Sequence, residues 1–274
     1  MSTISIGNNN RREQMRTGKM PFIMQIITMT WRNLIVNLRT PSAIIPPLIL
    51  GGFFLVIYEA QLGNASNFFL SGTDYINFIL PLSIISSSLS GAGVAGQSLV
   101  RDIESGYFDK LMLTPISRSA LILGPILAGA IILAFQAAFI VGIGLLMGLS
   151  SASGIAGLFV LVGLALLLGL SFAGFTIAIA LFTGNAAATQ SANFLFFPLT
   201  FLTATFVPID LLDGWIKVAT QINPITYILE AMRALLIDGW VAQPLLIGMS
   251  ASLGLGLLTF VLSIWGLRVR TSRQ

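Results

Sequence analysis

Few residues of this chain are of a type that does covalent chemistry. Ser86, Ser87 and Ser88 could act as nucleophiles only with a base beside them, and the chain has neither histidine nor cysteine. Histidine-dependent hydrolysis and thiolate metal or redox chemistry are therefore excluded. No GxxxxGK[ST] phosphate loop, no HExxH pair and no paired intramembrane carboxylates occur. Contact chemistry remains. The segment RDIESGYFDKLMLTPISR, residues 101–118, mixes charges with a central Gly106 and with apolar Tyr107, Phe108, Leu111 and Leu113. A solvated loop has no need of so many apolar side chains, and the composition suits a short helix that docks on a protein partner. Glu230 and Arg233 lie three apart and can pair on one helix face, with a weak solvated pair as the favoured reading.

The elements that must hold these residues are apolar. The 274 residues are 55% hydrophobic and 9% charged, with mean hydropathy +0.92, which rules out an ordinary soluble globule. Residues 119–209 contain no Asp, Glu, Lys or Arg, a run several times the roughly 20 residues that one helical crossing needs. Crossings are expected at about 41–59, 74–100, 119–149, 154–183, 187–208 and 243–267. The third and fourth exceed a minimal span, so they tilt, extend past the bilayer or break at Pro125. The predicted fold is all-α and polytopic, with six transmembrane helices.

Charge sets the orientation, because Lys and Arg are retained on the cytosolic side. Six crossings put Arg11, Arg12, Arg16, Lys19, Arg32, Arg39, Arg101, Lys110, Arg118, Arg268, Arg270 and Arg273 in the cytosol, with only Lys217 and Arg233 outside it. Both termini are then cytosolic. The net charge of +4 is one of membrane topology and not of a nucleic-acid footprint. A polar stretch of about twenty residues precedes the first apolar segment, unlike a cleavable secretory signal, and residues 1–21 read as a disordered basic cytosolic tail. From Phe22 to Leu38, apolar Ile23, Ile26, Ile27, Trp31, Leu34, Ile35 and Leu38 recur at helical spacing opposite Gln25, Thr28, Arg32 and Asn33. This predicts an amphipathic helix lying along the interface.

Between Pro208 and Gln243, apolar pieces are interrupted by Asp210, Asp213, Lys217, Pro224, Glu230, Arg233 and Asp238, which suggests short re-entrant helices before the last span. Trp215, Tyr227 and Trp240 suit the outer headgroup boundary. The span interiors carry no ionisable residue, so no proton relay is built in; energy for transport comes from elsewhere, or movement is passive. Ala130, Ala134, Ala138 and Gly142 form a small-residue stripe whose default meaning is helix packing.

Three segments, in order, resemble the ABC transporter type-2 permease family. Within residues 101–118 the similarity runs through Glu104, Gly106, Leu111, Thr114, Pro115 and Arg118. Residues 32–48, RNLIVNLRTPSAIIPPL, resemble the family's join between connecting helix and first span. Residues 206–235 resemble its external hairpin, with Pro208, Trp215, Asn223, Pro224, Tyr227 and Arg233 at the characteristic places. Asp213-Gly214 departs from it, where many members carry proline. The drug-resistance-type exporters are closest in character.

The resemblance implies a single transmembrane domain over 22–274, with a connecting helix at 22–40, a coupling loop at 101–118 and an external hairpin at 208–242. It implies a permease in the cell membrane, expected to be the bacterial inner membrane. Such a permease pairs with a second copy or a related permease chain, with two separate ATP-binding subunits and with membrane lipids. This chain itself is expected to hold no cofactor, since ATP and Mg are bound by the partner subunit. Arg101, Glu104, Gly106, Tyr107, Phe108, Leu111, Thr114 and Pro115 would meet the ATPase, and Phe53, Phe54, Ser86, Ser90, Asn193, Phe197 and Thr200 are candidates for the substrate path. The implied activity is ATP-driven export of an amphiphilic, drug-like or lipid-linked substrate. A polysaccharide or glycolipid exporter, a passive channel and an intramembrane lipid enzyme are the alternatives.

Overall fold

The computed structural model describes residues 20–63, 74–194, 196–203 and 209–272. The basic tail, residues 1–19, and Pro208 lie outside them. Eleven α-helices and one 3-10 turn, Ile209–Leu211, make up the described residues: α1 Phe22–Leu38, α2 Pro41–Leu62, α3 Tyr75–Glu104, α4 Tyr107–Met112, α5 Arg118–Leu146, α6 Gly154–Thr183, α7 Ala186–Phe194, α8 Phe196–Phe201, α9 Gly214–Ile222, α10 Pro224–Ile237 and α11 Ala242–Thr271.

Five of these, α2, α3, α5, α6 and α11, are long and apolar enough to cross a membrane. The crossing expected at 187–208 lies partly outside the described residues, which place α7 and α8 along it, so the described residues contain five helices of membrane-spanning length. The third and fourth spans are long but not interrupted. α5 runs through Pro125, as α2 does through Pro46 and Pro47 and α3 through Pro81. α3 continues to Glu104, so Arg101, Asp102 and Glu104 sit on the end of a span and not in a loop. Polar residues alone do not stop a helix; Gly106, with φ +69°, does.

α3 is the central post. Nearly all of its apolar stretch is buried (94%), against 22% for α2 and 17% for α11. It packs on α2, α5, α6 and α7, and on α10 at its outer end. Where helices share no water to expel, small residues let backbones approach and hydroxyls bond across. A Cβ on Gly51 of α2 would sit 2.7 Å from the Ser87 Cβ and 2.6 Å from the Ile140 Cδ1, so α2, α3 and α5 meet there with no room to spare. The Ser87 hydroxyl donates to the Pro47 carbonyl at 3.1 Å, and the Ser263 hydroxyl to the Gly174 carbonyl at 2.8 Å, which ties α11 to α6. Ser87 thus packs α3 on α2. Of the small-residue stripe on α5, only Ala130 is packed, against Gly169; Ala138 is exposed and nothing lies near Gly142.

α1 turns its polar side inward. Gln25, Thr30, Asn33 and Asn37 are buried, while Ile23, Ile27, Trp31 and Leu38 are 59–70% exposed. A water-soluble helix does the reverse. This inversion fits a helix whose apolar side faces lipid.

Candidate functional site: the polar grip at the end of α3 and the cavity beside it

The resemblance places the coupling region at α4 and its flanks. α4 has six residues and follows the left-handed Gly106. Phe108 and Leu111, at i and i+3, point inward and are 3% and 9% exposed, Phe108 in one buried cluster with Leu99, Val100 and Ile177 and Leu111 in another with Met29 and Leu121. They were expected to contact an ATPase. Their spacing on so short a helix makes them its buried side, so they anchor α4 to its own chain. The exposed surface comprises Arg101, Glu104, Tyr107, Thr114 and Pro115, together with Asp109, Lys110 and Leu113, the last 89% exposed.

The Thr-Pro-Ile-Ser-Arg run has a local purpose. The Thr114 hydroxyl donates to the Leu111 carbonyl at 2.5 Å, closing α4. The Ser117 side chain accepts from the Ala120 N–H at 3.2 Å, capping α5. The Ser117 N–H donates to Gln25 Oε1 of α1 at 2.8 Å. α1 also crosses α5 closely, where a Cβ on Gly124 would fall 2.5 Å from the Met29 Cβ.

The strongest link between α1 and this region was not visible in the sequence. Arg32 forms a two-pronged ion pair with Asp102 at the end of α3, with Nη2 donating to Oδ1 at 2.6 Å and Nη1 to Oδ2. Its guanidinium carbon also lies 4.4 Å from the centre of the Tyr107 ring. The hydrogen bonds that Arg32 donates to Asp102 raise its pKa above the ordinary value, against the opposing effect of burial. One side chain thus joins α1, α3 and α4.

The outer hairpin is held as firmly. Asn223 caps α10, its Oδ1 accepting from the Ile225 N–H at 3.0 Å, and its Nδ2 donates to the carbonyls of Leu199 (2.6 Å) and Leu202 (3.0 Å) at the end of α8. Pro224 takes the first helical position, where no N–H is needed. The Tyr227 hydroxyl donates to the Gln221 carbonyl at 2.6 Å, and Trp215 and Trp240 are exposed. Arg233 departs from the expected solvated pair. It is 3% exposed, with Nε donating to the Phe78 carbonyl at 3.1 Å, Nη1 donating to Glu230 Oε1 at 3.0 Å and the guanidinium 3.5 Å from the centre of the Phe78 ring. It shares its helix face with buried Leu229 and Leu236, and that register carries it inward. Burial lowers its pKa to about 10, with Glu230 pulling the other way, so it stays charged at neutral pH.

The substrate-path candidates are divided. Phe53 lines an apolar groove of about 540 Å³ between α2 and α5, beside Phe139 and Ile143. That groove lies on the flank of α2 turned toward α5. Phe54 stacks on Tyr58 at 5.4 Å, Ser86 is half-buried and Thr200 is buried. The side chains of Ser90, Asn193 and Phe197 lie outside the described ones. A second cavity, of about 320 Å³, opens between α2, α3 and α7 among Ser42, Pro46, Pro47, Gly93, Gln97 and Gln190. Gln97 Nε2 donates to Gln190 Oε1 across it. Pro46 supplies no N–H to the Ser42 carbonyl, which leaves an acceptor beside the same space. Sequence reasoning missed both glutamines, which are separated by 93 positions.

The family profile described as ABC-2 type transporter matches residues 24–237. Among similar proteins are a probable doxorubicin resistance ABC transporter permease protein DrrC of Mycobacterium tuberculosis, 24% identical over 82% of this chain and 81% of its own length, and the daunorubicin resistance ABC transporter permease protein DrrB1 of Streptomyces coeruleorubidus, 23% identical over 81% and 78%. A putative transport permease, ycf38, of Pyropia yezoensis is 26% identical over 78% and 74%. With a match over most of its length and a bundle of membrane-crossing helices, the chain belongs to the ABC-2 type transporter family, as a multi-pass membrane permease.

Proposed function

We propose that this chain is the transmembrane subunit of an ATP-driven exporter of amphiphilic, drug-like or lipid-linked molecules. It pairs with a second copy or a related permease, and two separate ATP-binding subunits, which hold ATP and Mg, dock on the surface around α4. The reading is carried by one observation: the exposed residues of α4 and its flanks are backed by Arg32, Asp102 and Tyr107, which tie that surface to both α1 and the central α3. A push on α4 then reaches a span without passing through a loose loop. Nucleotide binding biases a two-state equilibrium of the spans through this contact.

The cavity beside Gln97 and Gln190 is the entry for substrate on this reading. Its size falls at the lower end of small-molecule sites, and its mixture of apolar wall and neutral amides suits an amphiphile with an uncharged hydrogen-bonding group. The test is reconstitution with the ATP-binding subunit encoded beside it. The permease alone should hydrolyse no ATP, and the complex should hydrolyse ATP and extrude a hydrophobic dye such as Hoechst 33342. Gln97→Ala with Gln190→Ala should change the KM for dye by several-fold and leave basal hydrolysis unchanged. Dye movement independent of ATP would replace this reading with a passive channel.

A further inference from the structure

We propose that Gln136 is a positioning residue of the transport cycle, which takes over the Ser87 hydroxyl when α2 withdraws from α3. The inference rests on the export reading above and adds one group to its mechanism. Gln136 lies within α5 and is 0% exposed, and neither its Nε2 nor its Oε1 has a hydrogen-bond partner. A Cβ built on Gly91 would fall 2.7 Å from Oε1 and 3.3 Å from Nε2, so the amide rests on bare glycine backbone of α3. A buried amide with nothing to bond destabilises the arrangement that holds it, all the more within a membrane. Packing at this position would be served better by an apolar side chain of the same length. The amide therefore points to a second arrangement in which it is bonded.

The register of α3 on α5 supplies the partner. Ser87 and Ile140 both border Gly51, Gly91 faces Gln136, and Ala95 faces Gly129, so the two helices run in opposite directions. Ser87 and Gly91, four apart, share a face of α3, which sets Ser87 one helical pitch, about 5.4 Å, along the axis from the glycine under the amide. A glutamine side chain spans that distance by changing rotamer. In the described arrangement the Ser87 hydroxyl donates to the Pro47 carbonyl of α2. Pro46 and Pro47 also line the cavity that holds Gln97 and Gln190, so widening that cavity by moving α2 off α3 breaks this bond. The hydroxyl then loses its acceptor at membrane depth, and Gln136 Oε1 supplies another. One arrangement bonds Ser87 to Pro47 and leaves the amide idle; the other bonds Ser87 to Gln136. This exchange narrows the gap between two packings, as a two-state element requires.

The chain has no cysteine, so Ile45→Cys on α2 and Ala187→Cys on α7, both exposed, carry a pair of spin labels across the cavity. The full-length permease is reconstituted with its ATP-binding subunit, and the label distance is measured with and without nucleotide beside dye export. Gln136→Met keeps the length of the side chain and drops both polar atoms. It should raise the melting temperature by roughly 2–4 °C and lower the widened population about fivefold, the worth of one hydrogen bond. In a Ser87→Ala background the same substitution should leave the population unchanged, because the hydroxyl that Gln136 receives is gone. A loss that persists without Ser87 would overturn the proposal, since Ser87 would then turn back on its own helix. So would a lower melting temperature in Gln136→Met, which would mean that the amide is bonded in the described arrangement. A label distance that stays fixed while ATP drives dye out overturns this inference alone; dye movement that ignores ATP overturns the export reading and this one with it.

Discussion

The two ends of α3 are gripped by the same set of groups, an arginine, a carboxylate and an aromatic ring, built to different standards. At the outer end Arg233 is buried, its carboxylate is Glu230 on its own helix, and its hold on α3 is a backbone carbonyl and the ring of Phe78. At the inner end the side chains of Arg32 and Asp102 keep 27% and 14% of their surface exposed, and the carboxylate belongs to α3 itself. Losing the outer contact would strand a charge away from water, whereas losing the inner one returns two ions to solvent at little cost. The outer grip is thus a fixed anchor, and the inner one can be made and released by a partner that competes for its surface.

That contrast predicts a ranked series of effects. Arg233→Ala should be the most damaging, at about 3–5 kcal/mol, because it removes the buried cation and leaves Glu230 and the Phe78 carbonyl without it. Thermal unfolding of the purified protein in detergent would read this as a collapse in yield or melting temperature. Arg233→Lys should rescue little, since an ammonium cannot both stack on the ring and reach two acceptors in a fixed plane.

Asn223→Ala comes next, at about 1–2 kcal/mol, with the α10 cap and the two bonds to the end of α8 lost together. Proteolysis of the hairpin should quicken measurably. Gly106→Ala should cost about 1 kcal/mol from its left-handed backbone alone, because a Cβ there meets nothing within 4 Å. Gly106→Asn should cost less. If the larger Gly106→Leu uncouples ATP hydrolysis from export in the reconstituted complex while the melting temperature stays close to that of Gly106→Ala, strain and not bulk within the chain is the cause.

Arg32→Ala should have the smallest effect on stability, under about 1 kcal/mol, as expected of a partly exposed pair. Its effect should instead appear as hydrolysis no longer matched by transport. The pKa of Arg32 is raised, so its contribution is complete below the ordinary arginine value and lost only above it. A pH scan across the neutral range should therefore leave the guanidinium side of this contact unaltered. A melting temperature for Arg32→Ala as low as that for Arg233→Ala would erase the distinction between the two ends.

Much of this architecture could be read in the sequence because lipid imposes it locally. Five helices of membrane-spanning length follow from apolar runs alone, and the amphipathic helix α1 follows from its periodicity. Where α3 ends could not be read from its charges, because Arg101, Asp102 and Glu104 are compatible with a helix, and the stop is the backbone sign of Gly106. The burial of Phe108 and Leu111 was legible in their three-residue spacing but was outweighed by their place in a polar segment. Arg233 was misread for the opposite reason: the pairing with Glu230 is local, while Phe78, which completes its pocket, is 155 positions away. The Arg32–Asp102 and Gln97–Gln190 contacts are likewise non-local, at 70 and 93 positions, and no periodicity encodes them.

Two neighbouring glycines of α2 have unequal freedom to vary. A methyl group at position 52 would meet only the Ile143 Cδ1, a movable tip, at 3.1 Å, so alanine can be absorbed there. At position 51 the methyl would collide with the Ser87 Cβ, which has no rotamer to yield, and would pry the first crossing from the central one. In a saturation library across this helix, the first of the pair should accept no replacement and the second should accept small ones, a one-residue boundary in mutational tolerance at the middle of the bilayer.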